Sequence, residues 1–166
     1  VFPRLSPGAG RRERVAAADG PLVIVDYAHT PDALEQTLRA LRQHCPGRLW
    51  CVFGCGGDRD RAKRPLMGRI AWEHADELLI TSDNPRSEDP AAIIAEIATG
   101  LPEHGAAHEP DRAAAIRSAI AAGGPGDCVL IAGKGHEDYQ EVSGVRTPFS
   151  DAGIARAALA AWSVAS

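Results

Sequence analysis

The chain has 166 residues, 45% of them hydrophobic, which is enough to bury one sizeable core and predicts a single globular domain. Its 18 Lys and Arg against 22 Asp and Glu leave a formal charge of -4, with the basic residues scattered and only 5% aromatic, a composition that argues against nucleic acid as a partner. No apolar run approaches the roughly 18 residues that span a bilayer, and the opening "VFPRLSPGAGRRERV" has no apolar signal-peptide region, so no membrane partner is expected.

The first twenty residues mix Pro, Gly and Arg and read as an incoming linker rather than a strand of the core. The domain proper then begins near Leu22 with the apolar run "LVIVD" over 22–26. A helix is predicted over about 31–44, a strand "RLWCVFG" over 48–54, a helix over about 64–73, and a strand "ELLIT" over 77–81. A helix from Pro90, a short segment near Ala107, a helix from Asp111 and the strand "CVLIAG" over 128–133 continue the alternation. This order predicts an α/β, Rossmann-like, three-layer domain whose mostly parallel sheet is covered on both faces. "YQEVSGVRTPFSD" reads as a hairpin turning at Ser143-Gly144, ahead of a last helix over 151–162, and places an antiparallel edge near the C-terminus. The four cysteines, Cys45, Cys51, Cys55 and Cys128, lie in or beside apolar runs without CxxC spacing. They read as reduced packing residues of a cytoplasmic protein, with no metal site in this domain.

Ligands of an open parallel sheet bind beyond the carboxyl ends of its strands, so the residues that follow each strand are the candidates. They are "DYAHTPD", "GCGGDRDRAKRP", "SDNPR" and "GKGHEDYQ". In the second, Gly54, Gly56 and Gly57 permit close backbone approach and let Arg59 enter the cleft, or form an ordinary glycine turn capped by Asp58. In the first, Thr30 or Asp32 can cap the helix behind Pro31, while Asp26 and His29 are placed to meet a ligand such as the hydroxyls of a nucleotide sugar. In the third, Arg86 offers a planar fork for a carboxylate or phosphate, against the plainer reading of a surface arginine paired with Glu88 or Asp89. In the last, the segment can supply backbone carbonyls and the carboxylate of Glu137 to an amine. Lys134 and His136 read there as solvated loop residues, with a structural hydrogen bond favoured over catalysis for His136. Neither GxGxxG nor GxxxxGK[ST] occurs.

Taken together and in order, "DYAHTPDALEQTLRAL", "GCGGDRDRAKRPLMGRIA", "TSDNPR" and "AGKGHEDYQ" resemble the C-terminal domain of the Mur ligases, and within that family the diaminopimelate-adding branch. The resemblance implies a three-domain enzyme of which only the third domain is present. Residues 1–20 are then a linker from a central ATPase domain, and residues 21–166 are the Mur ligase C-terminal domain. It also implies a reaction in which ATP phosphorylates the D-Glu carboxylate of UDP-N-acetylmuramoyl-L-Ala-D-Glu. The amine of meso-diaminopimelate then attacks the acyl phosphate through a tetrahedral intermediate.

Carried over by position, Arg59, Asn84 and Arg86 are implied to bind a diaminopimelate carboxylate, Gly133 and Glu137 its distal amine, and Asp83 to shape the loop. Asp26, His29 and Asp32 are implied to lie near the nucleotide. No catalytic residue is expected in this domain. ATP and Mg2+ would be bound mainly by the central domain, so the isolated domain is expected to be inactive. One departure is Arg12, which stands where the family's "GRMERV" hinge has methionine. Competing readings are a free-standing α/β module that binds an amino acid or nucleotide without chemistry, and a folate-polyglutamate or muropeptide-recycling relative. The pairing of "DNPR" with "GKGHEDYQ" favours the diaminopimelate branch.

Overall fold

The structure, a computed structural model, describes residues 12–16, 19–103 and 105–165. The strands are β1 (Glu13–Val15), β2 (Leu22–Asp26), β3 (Leu49–Phe53), β4 (Glu77–Ile80), β5 (Ala107–His108), β6 (Cys128–Ala132), β7 (Tyr139–Val142) and β8 (Val145–Pro148). The helices are α1 (Pro31–Arg42), α2 (Lys63–His74), α3 (Pro90–Ala98), α4 (Arg112–Ala122) and α5 (Asp151–Ala165).

Six strands form one sheet in the order β1-β2-β6-β3-β4-β5, in which every pairing except β1 with β2 is parallel. β2 and β6 are buried along their whole length, as the unbroken apolar runs "LVIVD" and "CVLIA" require of strands covered on both faces. Side chains alternate between the two sides. Ile24, Phe53 and Leu130 join Leu34, Leu38, Met67 and Ile97 of α1, α2 and α3 in one core, while Val23, Val52 and Val129 join Ile116, Ile120 and Leu159 of α4 and α5 in the other.

α1 shows why the helices form where they do. Thr30 caps it by accepting a hydrogen bond from Ala33 N at 3.2 Å, Pro31 opens the first turn, and Leu34, Leu38 and Leu41 bury one face. All four cysteines are free and buried, and burial pushes the thiols of Cys51 and Cys55 up to about 12. Among the described residues, no helix is long and apolar enough to cross a membrane.

Two features differ from the sequence expectations. The described part of the expected linker holds β1, an antiparallel edge strand on β2 with Val15 in the core. Three residues with one buried apolar side chain carry too little periodicity to announce a strand. The antiparallel hairpin near the C-terminus does form, as β7 and β8, but as a separate two-stranded sheet rather than at an edge of the main sheet. β8 is exposed throughout and offers no apolar face to extend the core.

The register sets the position of the site. Asp26 and Phe53 both pair with Ala132, and Phe53 pairs with Ile80, so β2, β6, β3 and β4 end level with one another. The four loops picked out from the sequence leave the sheet side by side.

Candidate functional site

The loop after β3 packs edge-on against the loop after β4. Gly57 N donates to Asn84 O at 2.8 Å, and a Cβ at Gly57 would meet Pro85 O at 1.8 Å, so only glycine allows this approach. Asp58, in the left-handed region at φ 55°, accepts from Ser87 N at 3.2 Å and from Ser87 Oγ at 2.6 Å. These bonds hold its carboxyl below the usual carboxylate range. Asp58 therefore staples the loop after β3 to the loop after β4.

Arg86 is also left-handed, at φ 53°, and its Nη1 donates to Gly57 O at 3.0 Å. It pairs with neither Glu88 nor Asp89. Glu88 accepts from Arg64 Nη1 and Nη2 at 3.0 and 2.8 Å, and Asp89 caps α3 through Ala91 N at 3.1 Å. The nearest carboxylate to Arg86 belongs to Glu141 of the hairpin, at 3.9 Å. The hairpin is itself anchored to this loop through Arg86 N to Glu141 O at 3.0 Å and Ser143 N to Arg86 O at 2.7 Å.

Asn84 is buried at 1% exposure, and its Oδ1 accepts from Lys134 Nζ at 2.6 Å and from Glu141 N at 3.0 Å. Both partners are donors only, so the amide NH2 is turned the other way, to within 3.3 Å of Glu137 Oε1. Lys134 corrects a sequence expectation. It is not a solvated loop residue but has no exposed surface, with Tyr139 O at 3.0 Å, Asp83 Oδ1 at 3.7 Å and Glu137 Oε1 at 3.6 Å around its ammonium. Burial lowers its pKa, opposed by the charge of Asp83. His136 points elsewhere, half exposed and 3.6 Å from Glu13 of β1.

These loops enclose a cleft of about 340 Å3 lined by Arg59, Asp83, Asn84, Arg86, Gly133 and Glu137, together with Tyr27, His29, Gly56, Lys63 and Tyr139. All six residues assigned to an amino-acid ligand thus meet in one place, and His29 stands beside them. Asp26 and Asp32 do not line it. Asp26 is buried and already engaged by Arg12 Nε at 2.8 Å, Ala28 N at 2.9 Å and Thr37 Oγ1 at 3.4 Å, because a carboxylate closing a buried strand needs donors from the protein. Asp32 is exposed on the first turn of α1, whose cap is Thr30. Lys63, Tyr27 and Tyr139 were not singled out from the sequence. For Lys134 the available signal was its place between two glycines, Gly133 and Gly135, both of which adopt positive φ (118° and 56°).

Groups of both charges line the cleft. The loops after β3 and β4 bring the guanidinium groups of Arg59 and Arg86, suited to carboxylate or phosphate, and the loop after β6 brings the carboxylate of Glu137, suited to an ammonium. A ligand carrying both charges matches this cleft.

The family described as "Mur ligase, glutamate ligase domain" matches residues 10–135. The UDP-N-acetylmuramoyl-L-alanyl-D-glutamate--2,6-diaminopimelate ligase of Chromobacterium violaceum is 56% identical over 164 residues, covering 98% of this chain and 33% of the relative. The enzyme of the same name from Acidovorax sp. is 60% identical over 161 residues, covering 95% and 32%. A solved structure bearing that name superimposes with a TM-score of 0.87 at 48% identity, over 93% of this chain and 32% of that one. A bifunctional folylpolyglutamate synthase/dihydrofolate synthase solved with Mn, AMPPNP and L-glutamate shares the fold, at 23% identity and a TM-score of 0.59, over 92% of this chain and 31% of that one. The chain spans about a third of the length of the curated relatives it matches.

Proposed function

This chain belongs to the Mur ligase family, as its glutamate ligase domain, and from that premise we propose that it is the amino-acid-receiving domain of a ligase joining meso-diaminopimelate to UDP-N-acetylmuramoyl-L-Ala-D-Glu. The observation that carries this reading is the cleft itself, with Arg59, Asn84 and Arg86 on one side and Glu137 and Gly133 on the other. On this reading the guanidinium forks and the Asn84 NH2 bind one carboxylate of diaminopimelate, and Glu137 with the Gly133 carbonyl holds the ammonium at that end. Held from one end, the amino acid presents its other amine outward. That amine displaces phosphate from the activated D-Glu carboxyl, forming the amide bond and releasing a proton.

ATP with Mg2+ would supply the phosphoryl group that activates that carboxyl. The chain has no GxxxxGK[ST] loop, and among its described residues no three His, Cys, Asp or Glu gather as a metal site, so this cofactor pair does not fit the residues present here. We assign both to the remainder of a longer ligase, and expect this chain alone to turn over no ATP.

The test is a competition assay with the full-length ligase that carries this domain, offering meso-diaminopimelate, L-lysine and L-glutamate. Incorporation of diaminopimelate in strong preference is expected. Preference for lysine or glutamate overturns the substrate, and ATP turnover by this chain alone overturns its place as one part of the enzyme.

A further inference from the structure

Beneath the cleft lies a buried cation that the proposed reaction does not use. Arg112, the first residue of α4, has no exposed side-chain surface. Its Nε and Nη2 donate to Asp151 Oδ1 and Oδ2 at 2.8 and 2.7 Å, Nη1 donates to Ser82 O at 2.9 Å, and Nη2 also reaches Ala132 O at 3.2 Å. Ser82 immediately precedes Asp83 and Asn84, and Ala132 immediately precedes Gly133.

The strands that lead into these two loops are not neighbours, because β3 lies between β4 and β6. No ladder hydrogen bond joins them, and Ser82 lies beyond the last residue of β4. One rigid guanidinium bridges the gap, donating at once to the last carbonyl before each half of the cleft. Asp151 offsets the cost of burying the charge and holds the plane of the fork.

We propose that Arg112 is a positioning residue that sets the distance between the carboxylate-binding loop after β4 and the ammonium-binding loop after β6. It thereby matches the cleft to an amino acid carrying both groups at one end. This rests on the functional reading given above. A lysine could not replace it, since one ammonium on a flexible stem does not reproduce a planar fork.

The alternative is that the pair only pins α4 to α5. R112M leaves Asp151 buried and unpaired and is expected to unfold, so the deciding variants are R112M/D151L and R112K in the full-length ligase. Replacing a buried ion pair by apolar groups of similar volume is often neutral or stabilising, so the double variant should recover most of the Tm lost by R112M. Its KM for meso-diaminopimelate should nevertheless stay raised about tenfold, with the KM for ATP unchanged. The amides of Gly57, bonded to Asn84 O, and Gly133, bonded to Asp26 O, should exchange faster together. R112K, which keeps the charge opposite Asp151, should show the same pattern with a smaller loss of Tm.

Parent-like KM and parent-like exchange in either folded variant overturn the proposal. Should the parent enzyme not use meso-diaminopimelate at all, the functional reading falls, and the paired exchange of Gly57 and Gly133 still decides the role of Arg112.

Discussion

The ammonium of Lys134 lies 2.6 Å from Oδ1 of Asn84, with neither side chain more than 1% exposed. A donor that cannot accept thereby selects which end of the Asn84 amide faces Glu137 and the cleft. The same ammonium is the nearest fixed cation to Asp83 and Glu137, at 3.7 and 3.6 Å.

Lys134→Met should free that amide and leave the two carboxylates without their shared counterion. Losing a charge-assisted hydrogen bond costs about 1.5–3 kcal/mol, so a stability loss of that order is expected by chemical denaturation. The KM for diaminopimelate should rise about tenfold or more while that for ATP holds. A change in stability alone would make Lys134 a structural ion.

Arg86 should decide between diaminopimelate and lysine, which has the same distal amine but lacks the second carboxylate. Lysine would leave the guanidinium desolvated without an anion, a penalty of about 2–5 kcal/mol, or about thirtyfold to several thousandfold in preference. Arg86→Ala should collapse that ratio in a competition assay, and Arg86→Lys should restore it only in part. Because φ is 53° here, Arg86→Gly should be about 1 kcal/mol more stable than Arg86→Ala while discriminating equally poorly. An unchanged ratio in all three would place specificity elsewhere.

Gly57→Ala drives a methyl to 1.8 Å from Pro85 O and must push the "SDNPR" loop away. A loss of about 1–3 kcal/mol is expected, together with a raised KM for diaminopimelate. Gly144→Ala is the control. Its Cβ meets nothing within 4 Å, so its left-handed φ of 79° should cost about 1 kcal/mol and leave the KM alone. Equal KM effects at both positions would refute the loop contact as the cause.

The carboxyl of Glu88 is held down to about 2, first by its hydrogen bond from Arg64 and then by that from Asp58 N. A carboxyl depressed in the folded state contributes stability above its unfolded value, here 4.5, and loses that contribution as the pH falls through the folded value. The Tm of Glu88→Gln should therefore lie below that of the parent by a constant amount above about pH 5, and the gap should close between pH 4.5 and about 2. A gap that persists at the acid end would show that the link to Arg64 acts through packing.

The order of the elements and the convergence of four loops at one edge were legible because strand burial and helix amphipathicity are local patterns, as in "LVIVD" and in Leu34, Leu38 and Leu41. Arg86 could be weighed from the sequence as a ligand residue or a surface ion. Its candidate partners, Glu88 and Asp89, turned out to be engaged by Arg64 and by the cap of α3. β1 was not legible, since pairing with β2 and a single buried valine define it.

By itself the sequence determined the α/β alternation, the buried parallel strands, the capped helices and the residues delivered to the carboxyl edge, because each depends on side chains within a few positions of one another. Tertiary structure alone decided that Lys134 is buried against Asn84, 50 residues away, that Arg112 meets Asp151, 39 residues away, and that Asp26 is closed off by Arg12. Burying a charge is unfavourable until specific partners surround it, and those partners come together only when the sheet has set its register and brought distant loops side by side.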